Sequence, residues 1–571
     1  MKKILSHLAP AFLLVGFCVA FALPAAAQPN GYKYQLVKQA EYSKAAVSSA
    51  HPLASEAGMY VMQHGGNAVD AAIATQWALA VVYPTAGNIG GGGFLVARLS
   101  SGKNISIDYR EMAPGKATEN MYVDPKTGKA NTRLSQSGHL ASGVPGTPAG
   151  LFASLKYAKL PMKKLIQPAI DLAEKGFAIT EREANRLNNL QQQLERVNTS
   201  LPVFYREKKW QAGDTLIQPD LANTLKRIRD KGQPGFYEGE TADLIVNEME
   251  RGGGIISKAD LKNYKAVERT PVVFMYKGYE IISMPPPSSG GILIHQMLKM
   301  LENRPLASYG FQTAKSVQLI TEVERRAYAD RAEHLGDPDY YKVPMKGLVA
   351  PAYLQQRMAD YDSTKASVST NITPGVIKES METTHLSVMD TDGNAVSVTT
   401  TLNGGYGSKV VVGGAGFFLN NEMDDFSVQP GVPNMFGAIG GVANAIAPGK
   451  RMLSSMTPTV VLKNNKPFMV VGTPGGTTII TSVLQSIINV VDYNMNAFDA
   501  VNKPKFHHQW QPDEVRVEKD FPMDVRKQLE AMGYKIVENG AWSATEMILV
   551  KPNGKLEVVG DKRGDDSVAG W

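Results

Sequence analysis

The residues best placed to do chemistry in this chain are threonines. Thr383 and Thr384 open the stretch TTHLSVMDTDGNAVSVTTTLN, and Thr399, Thr400 and Thr401 lie near its end at Asn403. A threonine hydroxyl is a weak nucleophile without a neighbouring base. One solution is a chain cut just before the threonine, so that its own α-amine is the base. Such an amine has a pKa of about 7.7–8.0, close to working pH. Residues 360–382 are polar, with Pro374 and many Ser, Thr and Lys, and read as an exposed linker ending at Glu382. A cut there leaves Thr383 at the head of a strand.

Other chemistries find less support. Cys18 is the only cysteine, which leaves no cysteine nucleophile or cysteine-held metal in a mature chain. His507 and His508 are adjacent, so on a strand they face opposite ways, and no third ligand is suitably spaced. No G-x-S-x-G elbow supports a serine triad. Gly90–Gly93 lack a following Gly-Lys-Ser/Thr and read as close backbone packing. Glu422, Asp424 and Asp425, taken alone, suit either a metal-like acidic cluster or a solvated loop. Ser288 and Ser289, after Pro285–Pro287, favour helix capping and packing over a place in a site.

The threonines need a scaffold, and the pattern around them specifies one. Leu386, Val388, Val396, Val398 and Leu402 are all even-numbered. A three-residue loop, Thr391-Asp392-Gly393, pairs Asp390 with Asn394, Val388 with Val396 and Leu386 with Val398. A two-residue loop would set apolar residues against polar ones. Carried outward, the chosen register faces Thr383 with Thr401. His385, Ser387, Ser397 and Thr399 share their face, and His385 reads as structural support. Pro458–Gly476 reads as a second hairpin turning at Asn464-Asn465, followed by a buried helix over Thr478–Asn494. Ala68–Val82 is apolar almost all round and reads as another buried helix. Residues 150–270 are largely helical and amphipathic, and residues 28–50 read as a polar lead-in. Strands with buried helices on either side make a layered α/β sandwich.

The motifs "TTHLSVMDTDGNAVSVTTTLN", "LNNEMDDFSVQPGVPN", "KRMLSSMTPT", "GTPGG", "DYREMAP", "MPPPSSGG" and "FHHQW" together resemble the γ-glutamyltranspeptidase family. The resemblance spans nearly the whole mature chain, on the bacterial pattern. It implies the four-layer αββα sandwich of the N-terminal-nucleophile hydrolases, self-cleavage between Glu382 and Thr383, and no metal or organic cofactor. By matching positions, Thr383 is the nucleophile, held by Thr401. Gly475 and Gly476 form the oxyanion hole. Arg110, with Ser454 and Ser455, grips the substrate α-carboxylate, and Asn403, Glu422 and Asp425 hold its α-ammonium. The implied donors are glutathione and related γ-glutamyl compounds, and the acceptors are water, amino acids and peptides. Phe436 stands where several members carry a lid tyrosine, and Gly404-Gly405 departs from the expected pattern.

Length, charge and leader set the rest. The chain has 571 residues, 43% hydrophobic and 20% charged, with a dispersed net charge of +6. No basic block points to nucleic acid. Two lysines, an apolar run and Ala25-Ala26-Ala27 read as a signal peptide cut after Ala27. No later stretch reaches the roughly 18 apolar residues of a membrane span. The expectation is a periplasmic or secreted protein without a membrane anchor. Its parts are a signal peptide over 1–27, a large piece over 28–382 and a small piece over 383–571, the two pieces sharing one core as a heterodimer. The alternatives are a cephalosporin (glutaryl) acylase or a poly-γ-glutamate hydrolase of the same superfamily, or a non-catalytic periplasmic amino-acid-binding protein.

Overall fold

The structure, a computed structural model, describes residues 32–372, 383–429 and 441–571. The leader, Glu382 and Phe436 lie outside the described residues.

Two seven-stranded sheets organise the chain. Their strands are β1 (Gln39–Tyr42), β2 (Ala46–Ser49), β3 (Gly92–Arg98), β4 (Asn104–Asp108), β5 (Val267–Arg269), β6 (Val272–Tyr276), β7 (Tyr279–Ser283), β8 (Thr383–Met389), β9 (Ala395–Thr401), β10 (Thr459–Lys463), β11 (Lys466–Gly472), β12 (Glu546–Val550), β13 (Leu556–Val559) and β14 (Ser567–Gly570). One sheet runs β1-β13-β12-β11-β10-β7-β6 and the other β14-β2-β8-β9-β3-β4-β5. Every neighbouring pair is antiparallel.

The sheets stack face to face between two helical layers. Helices α1 (Pro52–Gln63) and α2 (Ala68–Val82) cover the sheet that holds β8 and β9, while α3 (Gly290–Glu302) and α5 (Thr478–Val491) cover the other, with α4 (Ala314–His334) packed on α3. This is a four-layer αββα sandwich. Helix α2 is buried along its whole length, and its start is fixed by a capping box between Asn67 and Asp70.

The hairpin adopts the register that its sequence pattern selects. Thr383 faces Thr401, Leu386 faces Val398, and Val388 faces Val396. Asp390 N–H donates to Asn394 O, and Gly393 takes a φ of 84° in the loop, a conformation glycine adopts without a Cβ clash. Leu386, Val388, Val396 and Val398 pack in the same core as α1 and α2. The hydroxyl-rich face points into the sandwich and is hydrogen-bonded across it. Ser387 Oγ donates to Glu546 O and Ser397 Oγ to Val471 O, while Thr459 N–H donates to Ser397 Oγ. Each such bond contributes about 1 kcal/mol net, so this polar seam costs the core little.

The two pieces expected from a cut at Thr383 interleave. Strands β8 and β9 sit between β2 and β3, and β10–β13 sit between β7 and β1. Either piece alone would leave long unpaired strand edges.

Two expectations need correction. Residues 28–50 are more than a lead-in, because β2 pairs with both β8 and the edge strand β14. Its four residues, AVSS, are too few to show a period. The linker reading holds only in part for the described residues: most of 360–372 is exposed or half-buried, but Ser369 and Ile372 are buried and held by Arg325, Trp510 and Asp513.

Candidate active site

Thr383 stands at the head of β8, its hydroxyl 3.5 Å from that of Thr401. Asn88 fixes this end of the hairpin. Its Nδ2 donates to Thr400 Oγ1 and Thr401 O, and its Oδ1 accepts from Gly91 N–H and Thr147 Oγ1. The glycine run explains why it contains no side chains. A Cβ on Gly91 would lie 2.0 Å from Thr401 O, and one on Gly90 2.1 Å from Phe418 O. Thr401 Oγ1 also accepts Asn403 N–H at 2.7 Å. Asn403 takes a φ of 72°, a turn conformation Asn tolerates better than most residues. The turn is tied down by Asn403 Nδ2 to Asn421 O and Gly404 N–H to Asn421 Oδ1.

Arg110 follows β4 and is fully buried. Its guanidinium is ion-paired to Glu422 and Asp425, and it donates to Met452 O and Leu453 O. Burial alone would pull its pKa down, but Glu422, Asp425 and Glu111 outweigh that and raise it. Glu422 is set in place by Asn420, whose Oδ1 accepts Glu422 N–H. Asp424 points elsewhere, accepting a bond from Ser135 Oγ.

Ser454 and Ser455 reach the site through supports that motif reading assigned to capping or missed. Ser289 Oγ donates to Ser454 O and Ser288 Oγ to Met456 O. Arg331 of α4 donates to both Ser289 Oγ and Ser455 Oγ. Asn444 joins the two halves of the site, donating to Asp425 O and accepting Leu453 N–H. A lone Asn or a helix Arg carries no motif signal.

Gly475 and Gly476 form a turn before α5, with φ of 133° and 59°. A Cβ on Gly475 would meet Thr478 Oγ1 at 2.5 Å and Trp542 O at 2.7 Å. Neither glycine N–H donates to an acceptor among the described residues.

Arg110, Thr383, Thr401, Asn403, Glu422, Asp425, Ser454, Ser455 and Gly476 all line one cavity of about 20 Å³, space for about one water molecule. Gly475 is the sequence neighbour of Gly476 but does not itself line the cavity. Glu111 was not foreseen. It is fully buried, its carboxylate lies 3.6 Å from Arg110 Nη1, and neither oxygen has a hydrogen-bond partner. Burial, opposed by Arg110, pushes its pKa up to about 8.

His385 takes the supporting part expected of it, and His507 and His508 are held in hydrogen bonds of their own. His385 bonds to Thr399 Oγ1 and Ser387 Oγ, and burial pushes its pKa down to about 3. His507 bonds to Thr481 and Gln509, and His508 to Asp513. Among the described residues no group of His, Cys, Asp and Glu is arranged to hold a metal.

A four-layer sandwich with a threonine at the head of a central strand, close to a glycine pair, is the architecture of the N-terminal-nucleophile hydrolases. The chain is similar over 95% of its length to the cephalosporin acylase of Bacillus halodurans, with a TM-score of 0.82 and 27% identity, covering 99% of that chain. The family model for gamma-glutamyltranspeptidase matches residues 54–571. The chain is 46% identical to the glutathione hydrolase proenzyme of Escherichia coli over 99% of both chains. It is 38% identical to the acylase ACY 1 proenzyme of a Pseudomonas strain, covering 91% of this chain and 92% of that one. The chain belongs to the γ-glutamyltranspeptidase family.

Proposed function

We propose that the chain is a glutathione hydrolase and γ-glutamyltransferase, made as a precursor that cuts itself between Glu382 and Thr383. The reading is carried by Arg110, Glu422 and Asp425 meeting beside Thr383. In the resting site Arg110 is ion-paired to both Glu422 and Asp425, so two carboxylates share a single cation. A zwitterionic glutamyl head replaces that pairing with complementary charges. Its α-carboxylate takes Arg110 and the Ser454 and Ser455 hydroxyls, and its α-ammonium takes Glu422, Asp425 and Asn403. A planar guanidinium suits a carboxylate in two-point contact. The clamp at both ends of the head fixes the γ-carbonyl over Thr383.

After cleavage the α-amine of Thr383 draws the proton from its own hydroxyl. The oxygen attacks the γ-carbonyl, and the Gly475 and Gly476 N–H groups stabilise the developing oxyanion. The amine leaves with that proton, leaving a γ-glutamyl ester on Thr383. Water, or the amine of an amino acid or peptide, attacks the ester and restores the hydroxyl. Thr401 positions the Thr383 oxygen, which is the nucleophile in the first step and the leaving group in the second. The chain then comprises residues 28–382 and 383–571, held together by the interleaved sheets. Among the described residues no helix is long and apolar enough to cross a membrane. With the leader, this supports export to the periplasm or beyond.

A glutaryl acylase would have no α-ammonium for Glu422 and Asp425 to hold. Turnover of glutathione and a γ-glutamyl anilide, with little on a glutaryl amide, is the expected result. The reverse preference would overturn the substrate assignment.

A further inference from the structure

The motif FHHQW contributes nothing to the cavity, although it lies in a segment, Phe506–Asp513, with an unusual local structure. Trp510 is buried and takes a φ of 68°, a left-handed conformation that bulky residues seldom adopt. Its neighbours hold it there: Trp510 N–H donates to His508 Nδ1, and His508 N–H donates to the buried Glu324. Strain of this kind tends to mark a functional position.

Trp510 holds Ser369 and Ile372, which precede the cut in the chain. Its indole Nε1 donates to Ser369 O at 2.8 Å and to Ile372 O at 3.0 Å. Asp513 Oδ2 accepts Ser369 N–H at 2.7 Å. Arg325 of α4 bonds to Ser369 Oγ and pairs with Asp513. Two residues earlier, Ser367 N–H donates to Glu322 Oε1, and Ala366 N–H donates to Met532 O. Ser369 is thus held through its N–H, its carbonyl and its side chain, more than a connecting loop requires.

We propose that Trp510, Asp513 and Arg325 form an anchor that positions the precursor for self-cleavage. The anchor holds Ser369–Ile372 on the side of the chain before the cut, and β8 holds Thr383 on the side after it. Positioning matters because a displacement of about 1 Å at reacting atoms costs on the order of a hundredfold in rate. Two anchor residues, Trp510 and Asp513, belong to the piece that begins at Thr383, whereas Ser369 belongs to the piece that ends at Glu382. The contact therefore becomes one between pieces after cleavage, and no part of it borders the cavity.

The proposal rests on the self-cleavage reading and is tested on the full precursor. Wild type, Trp510→Phe and Ser369→Ala are purified early, and conversion to two bands is followed with time. The matured fractions are then assayed on a γ-glutamyl anilide, with thermal melting as a folding control. Trp510→Phe keeps the packing and loses the shared donor. It is expected to lengthen the conversion half-time about tenfold, while kcat and KM of the matured enzyme stay within about twofold of wild type. Ser369→Ala removes only the hydroxyl and should slow conversion in the same direction. Equal conversion rates for wild type and both variants would overturn the anchor and leave self-cleavage intact. Variants whose matured kcat falls as far as their conversion rate would also overturn it, since that marks a merely structural role. A wild-type chain that never converts would overturn the cleavage reading and the anchor with it.

Discussion

Replacing Arg110 by lysine separates charge from geometry at the centre of the site. The guanidinium is paired with Glu422 and Asp425 and bonded to the carbonyls of Met452 and Leu453. A lysine keeps the positive charge, so neither carboxylate is left without a counter-ion. It cannot present two parallel N–H groups to a substrate carboxylate. One charge-assisted bond contributes about 1.5–3 kcal/mol. At about 1.4 kcal/mol per factor of ten, kcat/KM for a γ-glutamyl anilide should fall about 10- to 150-fold. Because the lost bond serves ground state and transition state alike, most of the fall should appear in KM. Arg110→Ala is a poorer probe, since stranding two buried carboxylates costs about 3–5 kcal/mol in folding. The assay is steady-state turnover on matured enzyme, with thermal melting to confirm folding. A lysine variant with wild-type KM would refute the assignment of Arg110 to the substrate carboxylate.

Three further outcomes follow from particular contacts. Gly475→Ala places a Cβ 2.5 Å from Thr478 Oγ1 and moves an oxyanion donor; kcat should fall on the order of a hundredfold, and a change under threefold would count against that role. Thr384 Oγ1 is buried without a partner, so Thr384→Val should cleave normally and melt no lower than wild type, whereas Thr383→Ala should neither cleave nor turn over substrate. Glu111 is raised from 4.5 to about 8, so between those values the unfolded chain has lost a proton that the native chain keeps. Native stability should fall as pH rises through that window. Denaturant unfolding of Glu111→Gln should show a shallower slope, and parallel curves would rule out a buried neutral carboxyl.

Sequence pattern reached furthest where one face of an element is apolar. The β8–β9 register was legible because a one-residue slip would turn Leu386, Val388, Val396 and Val398 away from α1 and α2. The Asn464-Asn465 turn was legible too, and both residues have positive φ. The site's reacting and charged residues were identified through motif resemblance, and the structure brings them to one cavity. Their supports were not legible. Arg331, Asn444 and Asn88 act through a few side-chain hydrogen bonds, mostly to residues outside their own element, which leave no period or spacing to read. Glu111 was hidden for another reason: a charged residue beside Arg110 reads as a surface ion pair until burial is known. Strand β2 was missed because its pairing with β8 spans more than 300 residues of chain and nothing local announces it.

The central claim is that Thr383 becomes a chain terminus. Intact-mass and N-terminal analysis of the purified protein tests this most directly. The account expects two polypeptides, with the smaller beginning Thr-Thr-His at Thr383. A single uncut chain that turns over γ-glutamyl substrates, or a small piece beginning at any other residue, would contradict it.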